Sequence, residues 1–381
     1  MVGGPLYQLL VRLQLLSPPL GWLDRRIVVV PLLVWTPLLV LAAVDGRLLP
    51  GNGYVPFLYD IEAHVRLLVA LPLLFAAELP AHRRLRNAIR QFIQRNLVAD
   101  SERVAFDAAV ESAMRLRNSI YLEGAMLVLA FTAGHWLWRS QIAYEGTTWY
   151  ATSDGSSLSL TLPGYWYGLV AIPVFQFVGF RWYLRLVIWF RLLWQISRLR
   201  LNLVAIHADR AAGLGFVGNS SYGFSLLLLA HGALLSGWIA DRIFHGSSSL
   251  VDFELEAIVL IGCVVAAILL PLCVFTSPLL AARRRAHGEY GLLVARYTQA
   301  FDRKWILGER QPDEPLLGSD DMGALADLSS SFQIVQETRL VPFGLRLAVN
   351  LVLITALPLL PLVFNILPLT SLIMKAIEII A

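Results

Sequence analysis

His231 sits in the run Leu226-Leu227-Leu228-Leu229-Ala230-His231-Gly232, where an imidazole at mid-helix depth needs a partner on another helix or a water-filled cavity. Two chemistries suit it: an interhelical hydrogen bond, or a proton relay or gate. Other ionisable residues fall in or beside apolar runs: Glu78, Glu123, His135, Arg181, Arg185 and the neighbours Asp241 and Arg242. Charge is costly there, so each is a candidate for a pathway or ligand site, with an interfacial group pairing with water or headgroups as the plain alternative. Arg181 and Arg185 share a helical face, but Arg191 is turned away from it by roughly 80° at 3.6 residues per turn. A voltage sensor needs one continuous stripe. Arginines at lipid phosphates and tryptophans at the interface are the better reading.

The stretch His207-Ala208-Asp209-Arg210-Ala211-Ala212-Gly213-Leu214-Gly215 puts metal-capable side chains two apart, ahead of a glycine-containing turn. His-x-Asp without a third ligand is a weak metal signal, and the glycines match neither a dinucleotide nor a P-loop pattern. The expectation is a turn held by an Asp209–Arg210 ion pair; it is also the first choice for a small-molecule or ion site at the inner mouth. Gly-x-Ser-x-Gly, His-Glu-x-x-His and the P-loop are absent from the sequence, so no catalytic residue and no cofactor is expected.

These residues are carried by a very apolar chain. Of 381 residues 57% are hydrophobic and 15% charged, and the mean hydropathy is +0.63. A helix needs about 20 mostly apolar residues to cross the hydrocarbon, and continuous runs favour helix over barrel strand. The sequence therefore predicts an all-α, polytopic transmembrane bundle of about seven spans, at 27–44, 64–80, 120–138, 166–187, 222–240, 257–280 and 347–368. Cytoplasmic helical segments are expected at 81–118 and 281–345. Ala230, Ala233 and Gly237 give the fifth span a small-residue face suited to close packing. Cys263 and Cys273, in one apolar run, read as small hydrophobes.

Arginine sets the orientation. Arg83, Arg84, Arg86, Arg90, Arg95, Arg103, Arg115 and Arg117 follow span two, Arg185, Arg191, Arg198, Arg200 and Arg210 follow the charge-free part of span four, and Arg283, Arg284 and Arg285 follow span six. The alternate connections carry almost none, which predicts a cytoplasmic N-terminus and an external C-terminus. The formal charge of +4 then reflects positive residues kept inside; no nucleic-acid partner is expected. The partners expected are the bilayer, anionic headgroups at the cytoplasmic arginines, and further copies of the chain.

Leu85, Ile89, Phe92, Ile93 and Leu97 form one helical stripe after span two, which should lie on headgroups or dock on its neighbours. Tyr297, Phe301 and Trp305, with Leu293, and then Leu325, Leu328, Phe332 and Val335, predict a helical hairpin with Ser319 as N-cap of its second arm. The outer segment 147–164 has the composition of a loop or short strand hairpin. Trp136, Trp138, Trp166, Tyr167 and Trp238 are expected to form an interfacial aromatic belt.

Arg115-Leu116-Arg117-Asn118-Ser119, Phe180-Arg181-Trp182-Tyr183 with Leu193-Trp194-Gln195, His207 to Phe216, and Glu314-Pro315-Leu316-Leu317-Gly318-Ser319 together resemble a family of bacterial multi-pass inner-membrane proteins that has no assigned activity. The resemblance implies the same topology and a bacterial inner-membrane location, and carries over no catalytic residue. The functional expectation is a channel or transporter whose pathway runs past His231, Arg181 and Arg185 to the His207–Gly215 turn. The alternative is a scaffold or signalling component working through its basic cytoplasmic face, and a lipid-active enzyme ranks third.

Overall fold

Continuous apolar runs fold as long helices because only a helix satisfies every backbone polar group without water. The computed structural model describes residues 23–50, 54–136, 148–153, 158–246, 249–308 and 320–366. Six of its helices are long and apolar enough to cross a membrane: α1 (Leu23–Val44), α2 (Ile61–Gln94), α5 (Leu162–Ser197), α6 (Gly215–His245), α7 (Leu250–Ile306) and α9 (Leu345–Val363). Between them lie α3 (Arg103–Arg117), the shorter apolar α4 (Ile120–Leu129, continued by a wide turn over Ala130–Gly134) and α8 (Asp320–Gln336). A two-stranded antiparallel hairpin, β1 (Ala151–Ser153) and β2 (Leu158–Leu160), pairs Ala151 with Leu160. Val28, Leu33, Val187, Val259 and Leu353 stand exposed on the spanning helices. That much exposed apolar surface is at home in hydrocarbon rather than in water.

Several expected boundaries move. Span two does not stop at residue 80 with a separate surface helix after it: α2 is one 34-residue rod. Pro80 falls in the first turn after a local break at Ala77, where a missing N–H costs nothing, and Leu85 and Phe92 continue the buried face. The same holds after span six, where α7 runs on for 57 residues. Its second half packs antiparallel to α8, with His287 stacked on Phe332 and Arg283 donating to the Gln336 carbonyl (2.6 Å). Lys304 and Trp305 both reach Asp321. The expected hairpin is therefore present, although Leu293 points to the exposed side; Ser319 lies outside the described residues.

Connecting segments gather at two ends. At one, Arg47 donates to the Thr148 carbonyl (3.0 Å), Val55 bridges Thr148, and Ile61 N–H donates to Asp241 (3.2 Å). At the other, Val98 bridges Leu201, Asn202 N–H donates to the Leu97 carbonyl (2.7 Å), and Thr338 donates to Ala205 (3.0 Å). These are called the hairpin end and the arginine end. The small-residue face of α6 is buried between neighbours: a Cβ on Gly232 would collide with the Thr355 carbonyl of α9, and one on Gly237 would press on Val65 of α2. Ser236 also donates to the Pro358 carbonyl (2.7 Å), tying α6 to α9.

Candidate functional site

The second half of α2 sends its arginines two ways. Arg84, Ala88, Gln91 and Arg95 recur at i, i+4, i+7 and i+11 and share a face, whereas Arg86 lies roughly 200° round from Arg84. The first face walls a cavity of about 570 Å³ at the arginine end. The other walls are the turn at His207–Gly215, the start of α6 at Asn219 and Ser220, and the linker from Arg339 to Gly344.

Asp209 builds that turn. Its Oδ1 accepts from the N–H groups of Ala211 (2.9 Å) and Gly213 (3.1 Å), and its Oδ2 from Gly215 (2.8 Å). His207 Nδ1 lies 3.0 Å from Oδ1. Burial works against the charge, but the three backbone donors and His207 outweigh it and hold the carboxyl below its ordinary range. The chain needs such a clasp, because Arg210 (φ +53°), Ala212 (φ +51°) and Gly213 (φ +92°) are all left-handed. A non-glycine residue there costs about 1–2 kcal/mol.

The expected Asp209–Arg210 pair is not formed. Asp209 turns inward to the backbone, and Arg210 reaches Glu337 instead (3.0 Å). Arg339 N–H donates to the Arg210 carbonyl (2.8 Å), and a Cβ on Gly218 would strike the Pro342 carbonyl. The turn and the α8–α9 linker are therefore one joint.

Around the cavity three guanidiniums have no acidic partner among the described residues. Arg84 stacks on the Tyr222 ring (5.6 Å) and Arg95 on Phe216 (5.1 Å), while Arg339 lies beside Gly344. Among the described residues none of the three forms an ion pair, and the lining carboxylate, Asp209, is already saturated. Planar guanidiniums converging on an open polar cavity are suited to phosphate or carboxylate oxygens.

The intramembrane candidates are used differently. Glu78 accepts from Arg185 (2.6 Å) and lies 3.7 Å from Arg26, with Arg181 also acting on it. Arg185 is buried and stacks on Trp182 (4.7 Å). It is an internal ion pair between α2 and α5, not an arginine at lipid phosphates, because Glu78 faces α5 at that depth. Glu123 is half-buried on α4 and its charge acts on Arg181. His135 is half-buried just past the wide turn of α4.

His231 donates from Nδ1 to the Leu227 carbonyl (2.8 Å), which leaves Nε2 to accept from the Tyr183 hydroxyl (2.8 Å). Both ring nitrogens are thus engaged within the bundle, which corresponds to the structural alternative. Two smaller hollows are apolar: about 250 Å³ between α2, α3 and α5, and about 340 Å³ beside Tyr183 and Pro271. Neither His231 nor Arg181 lines any of these three cavities. Among the described residues no group of three or more His, Cys, Asp or Glu is placed to hold a metal ion.

The sequence pointed to His207 and Asp209 and missed Arg84, Arg95, Gln91 and Arg339. The signal for three of these was present in the 84, 88, 91, 95 spacing, opposite the apolar stripe; Arg339 needed the tertiary joint. Tyr167, expected in an aromatic belt, is instead buried at the hairpin end with Arg66 donating to its hydroxyl (2.5 Å). Trp138 lies outside the described residues.

No family model, curated protein or solved structure matches the chain. The resemblance to bacterial inner-membrane proteins rests on its motifs alone.

Proposed function

We propose that this is a seven-span membrane protein with its arginine end in the cytosol, and that the arginine-lined cavity there binds a small anionic solute bearing phosphate or several carboxylates. Binding is read out by the α7–α8 hairpin. The observation that carries this reading is the convergence of Arg84, Arg95 and Arg339, none of them ion-paired among the described residues, on one cavity of about 570 Å³. That size lies within the usual range for small-molecule sites of about 300–1,000 Å³.

Coupling to the hairpin follows from the joint. A ligand touching His207 and Arg339 touches the two segments that Arg210 and Glu337 hold together, and Glu337 directly follows α8. The geometry favours this reading over a conduction path, because His231 is satisfied by Tyr183 and Leu227, and Gly232 is closed against Thr355. The seventh crossing is α4. It starts beside Arg117 at the arginine end, its Gly134 carbonyl accepts from the Gln176 side-chain amide of α5 (3.1 Å), and the chain is next seen at Thr148 in the hairpin end. Three of the arginine-rich connections share one end, which under the positive-inside rule is cytoplasmic.

Thermal unfolding of the purified protein in detergent, against a panel of phosphate, pyrophosphate, nucleotides and tricarboxylates, tests the reading. A saturable upward shift that weakens with salt is expected for at least one anion. No shift across the panel overturns it. The same solutes in proteoliposomes separate binding from transport: steady solute flux, lost in His231→Ala, would instead support a transport pathway. Labels placed after residues 90 and 150 should react from opposite sides.

A further inference from the structure

We infer that the hollow between α2, α3 and α5 is a binding site for one anionic phospholipid, with its phosphate on Arg86, Arg90 and Arg117 and an acyl chain segment against Ile89 and Trp189. This site is separate from the cavity of the proposed function.

The argument begins with the helical face left over on α2. Arg86 and Arg90 lie one turn apart on the side away from Arg84, and both line this hollow with Arg117 of α3 and Arg185 of α5. No carboxylate is among the described residues that line it. Of the four guanidiniums only Arg185 has an acidic partner among the described residues, Glu78. Among the described residues Arg117 donates to the side-chain oxygen of its neighbour Asn118 and has no acidic partner. Burial together with the charge of Arg185 lowers the pKa of Arg117, so an anion placed there relieves an existing repulsion.

The rest of the wall is apolar: Leu85 and Trp189 are buried, Ile89 and Ile188 lie against them, and Met114 closes one side. A basic rim over an apolar floor matches an amphiphile with charge at one end and hydrocarbon at the other. It does not match a hydrated inorganic anion, which gains nothing from the floor. Position agrees. Ile120 and Tyr121, which open α4 just after Arg117, are exposed apolar surface, so the hollow lies where the apolar belt gives way to arginine. At about 250 Å³ it takes part of one chain and leaves the rest of the lipid in the bilayer.

The test uses the full chain in a neutral detergent, titrated with phosphatidylglycerol, phosphatidylcholine and inorganic phosphate, following the thermal midpoint of the wild type and of Arg86→Gln/Arg90→Gln. Both substituted residues are exposed and unpaired among the described residues, so the variant should fold. The expected result is a saturable rise with phosphatidylglycerol, an apparent affinity at least tenfold weaker in the double variant, and little rise with phosphatidylcholine. Inorganic phosphate can also reach the larger cavity and should shift both proteins equally. Equal responses to the two lipids, a double variant as responsive as wild type, or a phosphate shift that the double variant loses would each overturn the assignment. Ala113→Trp, which fills the hollow while keeping its arginines, should also lose the phosphatidylglycerol response. If that variant fails to fold, the double variant alone decides.

Discussion

The two ends of the bundle spend their polar groups in opposite ways. At the hairpin end nearly every one is turned on another: the Asp60 carboxylate accepts from Ala63 N–H (2.7 Å) and Trp149 Nε1 (2.7 Å), Arg66 engages Glu62 and Tyr167, and Thr161 donates to the Trp149 carbonyl (2.8 Å). Trp149 is fully buried there, edge-on to Phe57 and Tyr150. At the arginine end Arg84, Arg86, Arg90, Arg95 and Arg339 have no acidic partner among the described residues and line cavities. One end is a closed cap. The other keeps cationic donors in reserve, and in a membrane protein such reserve is where a ligand gains most.

Damage at the cap should therefore unfold the protein without touching anion binding. Trp149→Ala removes the centre of the cap and should cost about 3–5 kcal/mol, seen as a large fall in the thermal midpoint with pyrophosphate affinity unchanged in the fraction that folds. Glu78→Ala probes the layer beneath the arginine end. It leaves Arg185 buried without its acid, a change that costs about 3–5 kcal/mol in comparable pairs, again read by thermal unfolding.

Asp209→Ala should give a smaller stability loss, because its turn is peripheral. The three N–H groups that Asp209 serves make only part-buried bonds, so water replaces much of the lost acceptor and the total should stay at about 1–3 kcal/mol, although the turn they hold is strained. This variant should loosen the His207–Gly215 segment in hydrogen exchange and also weaken anion binding, which Trp149→Ala should not.

Acid should separate the ends further. Burial raises the Asp60 carboxyl to about 6, against the opposing pull of its Ala63 and Trp149 donors. Its folded value exceeds the unfolded one, so the contribution to the cap is fully present below the ordinary 3.8 and is lost as pH rises through about 6. Asp209 has the opposite sign. Its contribution is present above the ordinary 3.8 and is lost as pH falls through its depressed folded value. Hydrogen exchange across this range should show the cap tightening in mild acid while the turn is unchanged, and Asp60→Asn should flatten the cap's response.

How much of this was legible beforehand follows from what each feature depends on. The spanning helices were plain because hydrocarbon demands long apolar runs, and the alternation of arginine-rich connections anticipated which segments share an end. Helix ends were less legible: α2 and α7 pass through the expected stopping points because their apolar faces continue after the charges begin. His231 was visible as an oddity, but its partner Tyr183 is 48 residues away in sequence and nothing local connects them. The expected turn at His207–Gly215 is formed and lines the cavity at the arginine end, but its side chains pair differently from the expectation. Local sequence suggests that adjacent opposite charges pair, whereas the fold directs Asp209 to backbone N–H groups and Arg210 to Glu337.

The most direct measurement is calorimetric titration of pyrophosphate into the purified protein, wild type against Arg84→Gln/Arg95→Gln/Arg339→Gln. Hydrogen bonds to charged groups contribute about 1.5–3 kcal/mol each, so removing three guanidiniums should weaken binding by at least about a hundredfold, with the thermal midpoint of the free protein nearly unchanged. Equal affinity in the two proteins would contradict the account, since the arginine end would then hold its anion somewhere other than in this cavity.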